Sequence, residues 1–175
     1  MISLKAFLPV LSKLLELSPA ALYERQRALV RLDLLPKPTA PGRKSGAAMA
    51  TPDSIAIILI AVLVTDNLSE MDDRIQVLAK RRAIDPHTAK LTRCRFTGKH
   101  TLQEALTEVL ADSKVSSTLS IEVTRKAKTA RLISSSGGGH RTSEFGMVTP
   151  GKGVEVKATY ADLFSLSREL EEVSR

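Results

Sequence analysis

Between Ser18 and Arg31 the chain sets Tyr23, Arg25, Gln26, Arg27 and Arg31 on one short stretch. Guanidinium groups suit phosphate oxygens and guanine edges, a Gln amide pairs with adenine, and a Tyr hydroxyl reaches phosphate or sugar. Twelve residues on, Arg43 and Lys44 add two cations in a Pro/Gly-rich loop, placed to grip a flanking backbone or a minor groove. Ser18, Tyr23, Arg25, Gln26, Arg27, Arg31, Arg43 and Lys44 are therefore the candidate DNA contacts. A helical hairpin with a merely solvated basic face is the plain alternative.

Other chemistry-bearing clusters are weaker. Cys94, His87 and His100 lack the four closely paired ligands of a zinc site. Cys94 lies between Arg93 and Arg95, which would lower its thiol pKa if it were exposed. His140, Ser134–Ser136 and Glu144 are hydrolase residue types, yet no elbow or oxyanion hole accompanies them. Ser136-Gly137-Gly138-Gly139-His140 fits no phosphate-binding fingerprint. The expectation is no catalysis, no metal and no cofactor.

The elements that position the candidate contacts follow from periodicity and caps. Leu4, Leu8, Leu11 and Leu15 predict a helix from about Ser3 to Leu15, with Pro9 delaying its regular part or kinking it. Ser18-Pro19 opens a second helix to about Arg31 or Leu32. Leu22, Gln26, Leu29, Val30 and Leu32 mark its inner side; Tyr23, Glu24, Arg25, Arg27, Ala28 and Arg31 its outer side. The three-residue link suits a helix-turn-helix. Leu34-Leu35-Pro36 reads as one edge of a hairpin and Ala47-Ala48-Met49 as its return. Thr51-Pro52 opens an apolar helix to about Thr65, and Ser69 with Asp72 caps another, from about Glu70 to Arg82.

Residues 84–100 are the least regular. Thr101 and Glu104 form a capping box before a helix over 102–111. The period then becomes two: strands are expected over 119–124, 129–133, 145–148 and 154–158, with a flexible connection at 134–140. Thr159 with Asp162 caps a last helix to about Val173, with Leu163, Leu166 and Leu170 inward. The domains expected are 1–82, a winged helix-turn-helix with its following helices; 83–100, an irregular linker; and 101–175, a small α+β domain.

Composition sets the outer bounds. The 175 residues carry a net charge of +7, with a pI near 9.8. This favours nucleic acid, an anionic membrane or an acidic protein as partner. Residues 1–50 hold eight Lys/Arg against three Asp/Glu, and 114–159 hold the same, while 51–113 are nearly balanced. The strand cations Arg125, Lys126, Lys128, Arg131 and Arg141 are a second phosphate-tracking surface or a solvated sheet edge. One cysteine excludes an internal disulfide and fits a cytoplasmic setting. The apolar run Ile55–Val64 is about half the ~20 residues of a membrane span, so no membrane is expected.

Tyr23…Arg27-Ala28-Leu29-Val30-Arg31…Leu34-Leu35-Pro36, then Gly42-Arg43…Gly46 and Thr51-Pro52-Asp53…Ile55, resembles the winged-helix domain of the MerR and excisionase-like type over residues 4–65. That resemblance implies a recognition helix, an apolar exit, an Arg/Gly wing and a capped helix. The wing here is richer in Pro, and neither a long dimerising coiled coil nor effector-binding cysteines follow, so metal sensing is not carried over. Similar spacing occurs in phage packaging proteins with a winged helix.

The fold expected is α+β: an N-terminal winged helix-turn-helix, a helical middle, and a small C-terminal antiparallel sheet with a closing helix. The function expected is sequence-dependent double-stranded DNA binding by a transcription regulator, with a homodimer or RNA polymerase as protein partners. A DNA packaging or recombination accessory factor is one alternative. A protein-interaction module without DNA affinity is the other.

Overall fold

A computed structural model describes residues 2–37, 48–67, 70–134, 141–146 and 163–174. Over these residues the protein is mixed α+β, with seven helices and a four-stranded antiparallel sheet. Helix α1 is Leu4–Leu14, capped by the Ser3 hydroxyl, which accepts from the Ala6 amide. Its span matches the expected Ser3–Leu15, and of the two effects expected of Pro9 a delayed start is not seen. Pro9 sits inside it, and both Pro9 and Lys5 are exposed. The Lys5 carbonyl that Pro9 leaves without an amide donor can therefore turn to water, which lowers the usual cost of an internal proline.

Glu16 takes a left-handed backbone (φ 52) and turns the chain. Helix α2, Pro19–Arg31, follows with Ser18 as its cap. Asp33 repeats the device (φ 57), and the amides of Leu34 and Leu35 both donate to the Leu29 carbonyl. That closes α2 in a bend, where a hairpin edge was expected. The returning chain pairs with the N-terminus instead. Met49 bridges Ser3, Leu4 N–H donates to Ala48 at 2.7 Å, and Ala50 N–H donates to Ile2 at 3.0 Å. The expected wing between these segments, with Arg43 and Lys44, lies outside the described residues.

Helix α3, Pro52–Val64, begins with a reciprocal Thr51/Ser54 capping box, and every residue from Ser54 to Val64 is buried. Such a helix shows no amphipathic face because it is covered all round. Its neighbours are α2, α4 (Met71–Ala79), α5 (Leu102–Ala111) and strand β2 (Leu119–Thr124). Among the described residues no helix is long and apolar enough to cross a membrane. Helix α4 stops at Ala79, short of Arg82, and the cap expected from Ser69 lies outside the described residues. Helix α5 starts from the Thr101/Glu104 box as expected. The short α6, Ser113–Ser116, leads into the sheet.

Strands β1 (Ala83–Ile84), β2 (Leu119–Thr124), β3 (Thr129–Ser134) and β4 (Arg141–Phe145) lie in the order β1-β4-β3-β2. Leu119, Ile121 and Val123 alternate inward, opposite Ser134, Leu132 and Ala130. The third hairpin strand comes earlier than the expected 145–148. Ser143 and Phe145 supply its inward alternation, and Gly146 (φ 81) ends it. A Cβ at Gly146 would sit 2.9 Å from the Arg81 side chain. Strand 154–158 and the Thr159/Asp162 cap lie outside the described residues.

Most of residues 83–100 are irregular, as expected of a linker, but Ala83 and Ile84 form β1 against β4. One apolar cluster takes in residues from Leu4 to Leu170, drawing on 1–82 and 101–175 alike. Helix α7, Leu163–Ser174, closes over α5, α6, α1 and β2 with Leu163, Leu166 and Leu170 buried.

Candidate nucleic-acid interface

Helix α2 presents two stripes. Leu22, Arg25, Ala28 and Leu29 face the core and are buried. Tyr23, Arg27 and Arg31 recur every four residues on the opposite side, and all three are exposed. Gln26 and Val30 lie between the stripes, half-buried.

The placement of Arg25 and Ala28 on the outer side is thus corrected. Arg25 is 4% exposed. Its Nη1 donates to the Ala21 carbonyl at 3.2 Å and its Nη2 to the Thr65 carbonyl at 3.4 Å, just past the end of α3. Burial pushes the guanidinium pKa down, Asp66 pulls it up, and Arg125 pushes it down further. Arg25 ties α2 to the C-terminus of α3, a favourable place for a cation. It offers nothing to a groove.

The two outward arginines have company. Arg27 meets Glu24 at 3.2 Å, and Arg31 reaches across to both carboxylate oxygens of Asp72 at 2.9 Å. Both arginine side chains are 65% exposed, as are 48% of Glu24 and 41% of Asp72. Exposed pairs of this kind contribute about 0–1 kcal/mol. A phosphate, which forms stronger charge-assisted bonds, can therefore take over either arginine.

Beside the stripe runs a groove of about 470 Å³ between Tyr23, Gln26, Val30 and the stems of Arg27, Arg31 and Lys37. A second hollow of about 240 Å³ continues from Tyr23, Gln26 and Val30 toward Ser3, Lys5 and Ala48. Gln26 lines both, and its Oε1 is buried without a hydrogen-bond partner among the described residues. Ser18 is exposed, but its hydroxyl accepts the Ala21 amide hydrogen bond.

The strand cations are largely spent within the fold. In the β2–β3 turn, Arg125 donates to the Leu63 carbonyl at 2.9 Å and pairs with Asp66. Lys128 pairs with Asp73. Arg74 and Arg81 donate to the backbone carbonyls of Arg125 and Lys128. Arg131 lies between Glu122 and Glu144, at 3.6 and 3.7 Å. The turn is thereby clamped onto α3 and α4, leaving Lys126 in the turn and Arg141 at the start of β4 exposed.

Another basic region takes its place. Residues 80–100 contain seven Lys/Arg and one Asp. Arg82, Lys90, Arg93 and Arg95 are exposed there, with no acidic partner among the described residues. A charge count over 51–113 hides them, because it averages this loop with acidic α4. Counting over about twenty residues reveals them.

Cys94 is buried at 2%, which withdraws it from the solvent-exposed setting a reactive thiol needs. His87 and His100 are exposed, and among the described residues no three His, Cys, Asp or Glu side chains gather as a metal site. Ser134 is buried in β3 and Glu144 faces Arg131, while Ser135, Ser136 and His140 lie outside the described residues. The chain matches no protein-family model, no curated protein and no solved structure.

Proposed function

We propose that this protein binds double-stranded DNA in a sequence-dependent way through the outward face of α2, and that it acts in the cytoplasm as a transcription regulator. The observation that carries this reading is the exposed Tyr23–Arg27–Arg31 stripe on the second helix of a tightly linked pair. In a major groove, Arg27 and Arg31 would exchange weak surface carboxylates for phosphate oxygens or guanine edges. Tyr23 would contact the backbone, and Gln26 would meet a base edge at the lip of the groove. Arg43 and Lys44 would hold the flanking strand. The pairing of residues 48–50 with 2–4 supports such a role by fixing one end of that loop beside α1. A homodimer would lengthen the site, since a single unit of this size reads few base pairs.

A second reading rests on the apolar share of the same groove, where Tyr23 and Val30 could receive a side chain of a protein partner. Selection from a random-duplex pool separates the two. The DNA reading predicts an enriched motif that Arg27→Ala/Arg31→Ala abolishes and Arg43→Ala/Lys44→Ala weakens. No enrichment with the wild-type chain would refute it and leave the protein-binding groove.

A further inference from the structure

We propose that β1 and its flanks form a second, sequence-independent surface for the phosphate backbone of double-stranded DNA, with Arg82 just before the strand and Lys90, Arg93 and Arg95 in the loop after it as its contacts. These cations are available. The cations of the β2–β3 turn and of α2 mostly face a carboxylate or a carbonyl. These four face solvent.

The loop also displays them rigidly. The Asp85 carboxylate accepts the amides of His87 and Thr88 at 2.8 and 3.0 Å, and Ala89 (φ 55) turns the chain back, with Asp85 N–H donating to the Lys90 carbonyl at 2.9 Å. Thr92 N–H donates to Ala83, and Cys94 N–H to Lys99. Cys94 is buried, so its neighbours Arg93 and Arg95 are carried outward on either side of a fixed anchor. The Arg95 amide donates to the Ser143 hydroxyl on β4 at 3.3 Å, which holds the loop to the sheet. Cations fixed in place lose less freedom on binding than cations on a loose tail.

The rest of the loop surface selects the ligand. Leu91, 60% exposed, is the large apolar side chain the loop presents, and Phe96 packs against the core. Without an exposed Phe, Tyr or Trp the loop lacks the broad platform on which successive single-stranded bases stack. One leucine on an irregular loop is not the broad apolar face that seats an amphipathic helix in a lipid interface. Nor does it offer the aromatic anchors typical of a protein interface. A regular array of phosphates needs only the cations. Arginine and lysine here carry affinity and not sequence choice, so this surface does not depend on the α2 reading.

The test uses the full chain and a 30-base-pair duplex of arbitrary sequence, with affinity followed from about 50 to 200 mM salt. Four phosphate contacts contribute about 3.6 to the log–log salt slope, or about 150-fold over that range. The variant Arg82→Gln/Lys90→Gln/Arg93→Gln/Arg95→Gln should lower the slope by about 3.6 and weaken binding at 50 mM at least ten-fold. Lys13→Gln/Lys114→Gln/Arg168→Gln, which removes exposed cations elsewhere, should change affinity less than three-fold. Melting curves of all three proteins should coincide within a few degrees, since only exposed side chains change. Equal losses in both variants would reduce the effect to net charge and overturn the proposal. So would an unchanged loop variant, or binding in which the loop matters only for anionic vesicles or single strands. The loop variant should still enrich the motif that Arg27→Ala/Arg31→Ala abolishes, so failure here and failure of the α2 reading are distinguishable.

Discussion

The outward face of α2 and the loop after β1 carry the same kind of charge in different states. On α2, one arginine is buried against carbonyls and two lean on carboxylates. Around β1, Arg82 before the strand and Lys90, Arg93 and Arg95 in the loop after it stand without acidic partners among the described residues. The difference comes from tertiary neighbours. Acidic α4 lies within reach of Arg31 through Asp72 and of Lys128 through Asp73, whereas the loop's own Asp85 is engaged by backbone amides. A cation count along the chain therefore measures how much charge is present. Which part of it can meet a ligand is decided by packing.

The largest effect that can break this comparison lies at Arg25. Arg25→Ala should destabilise the fold by about 2–3 kcal/mol, because it removes charge-assisted hydrogen bonds and leaves the Thr65 carbonyl without that donor. Arg25→Met should cost clearly less, since a well-packed apolar group often replaces a buried charge without penalty. Chemical denaturation measures both. If Arg25→Ala is as stable as the wild type and loses only DNA affinity, Arg25 belongs with the groove-facing residues after all.

A smaller effect sharpens the comparison from the other side. Asp72→Asn frees Arg31 and should leave stability within about 1 kcal/mol. It should raise affinity for an arbitrary duplex several-fold and steepen the salt slope by up to about 0.9. An unchanged slope would mean that Asp72 does not hold Arg31 back.

The smallest effects are in acid. The Asp73 carboxyl is held below its ordinary value by a hydrogen bond from Lys128, Asp85 by the Thr88 and His87 amides, and Glu104 by the Thr101 amide. A depressed folded-state pKa stabilises the fold above the unfolded value. That stability is lost as pH falls through the folded one. Melting temperature should thus be level at neutral pH and decline from about pH 4 downward, modestly because these groups are exposed. A rise in melting temperature below pH 4 would contradict this.

Much of the frame is legible in the residues. Local chemistry defines the Ser18-Pro19 start of α2, the Thr101/Glu104 box of α5 and the alternation of β2, because caps and pleats depend on neighbours within four positions. The Leu163–Leu166–Leu170 stripe of α7 is legible for the same reason. Arg25 was legible by spacing and hidden by type. It falls on the Leu22–Leu29 stripe, yet arginine is the residue least expected inside. The pairing of Met49 with Ser3 depends on contacts 46 positions apart, which no local pattern carries. The loop over 85–100 has no period at all. Its order comes from turns, from the burial of Cys94 and from the Arg95–Ser143 hydrogen bond to β4.

The most direct test of the division between a reading helix and a gripping loop is the ratio of affinities for a selected duplex and its scrambled counterpart. Three proteins suffice: wild type, Arg27→Ala/Arg31→Ala, and the four-residue loop variant. A base contact changes the ratio, while a phosphate contact lowers both affinities together. The account predicts a ratio that collapses toward one in the α2 variant and persists in the loop variant while both of its affinities fall. A wild-type ratio near one, or a ratio indifferent to the α2 substitutions, would contradict it.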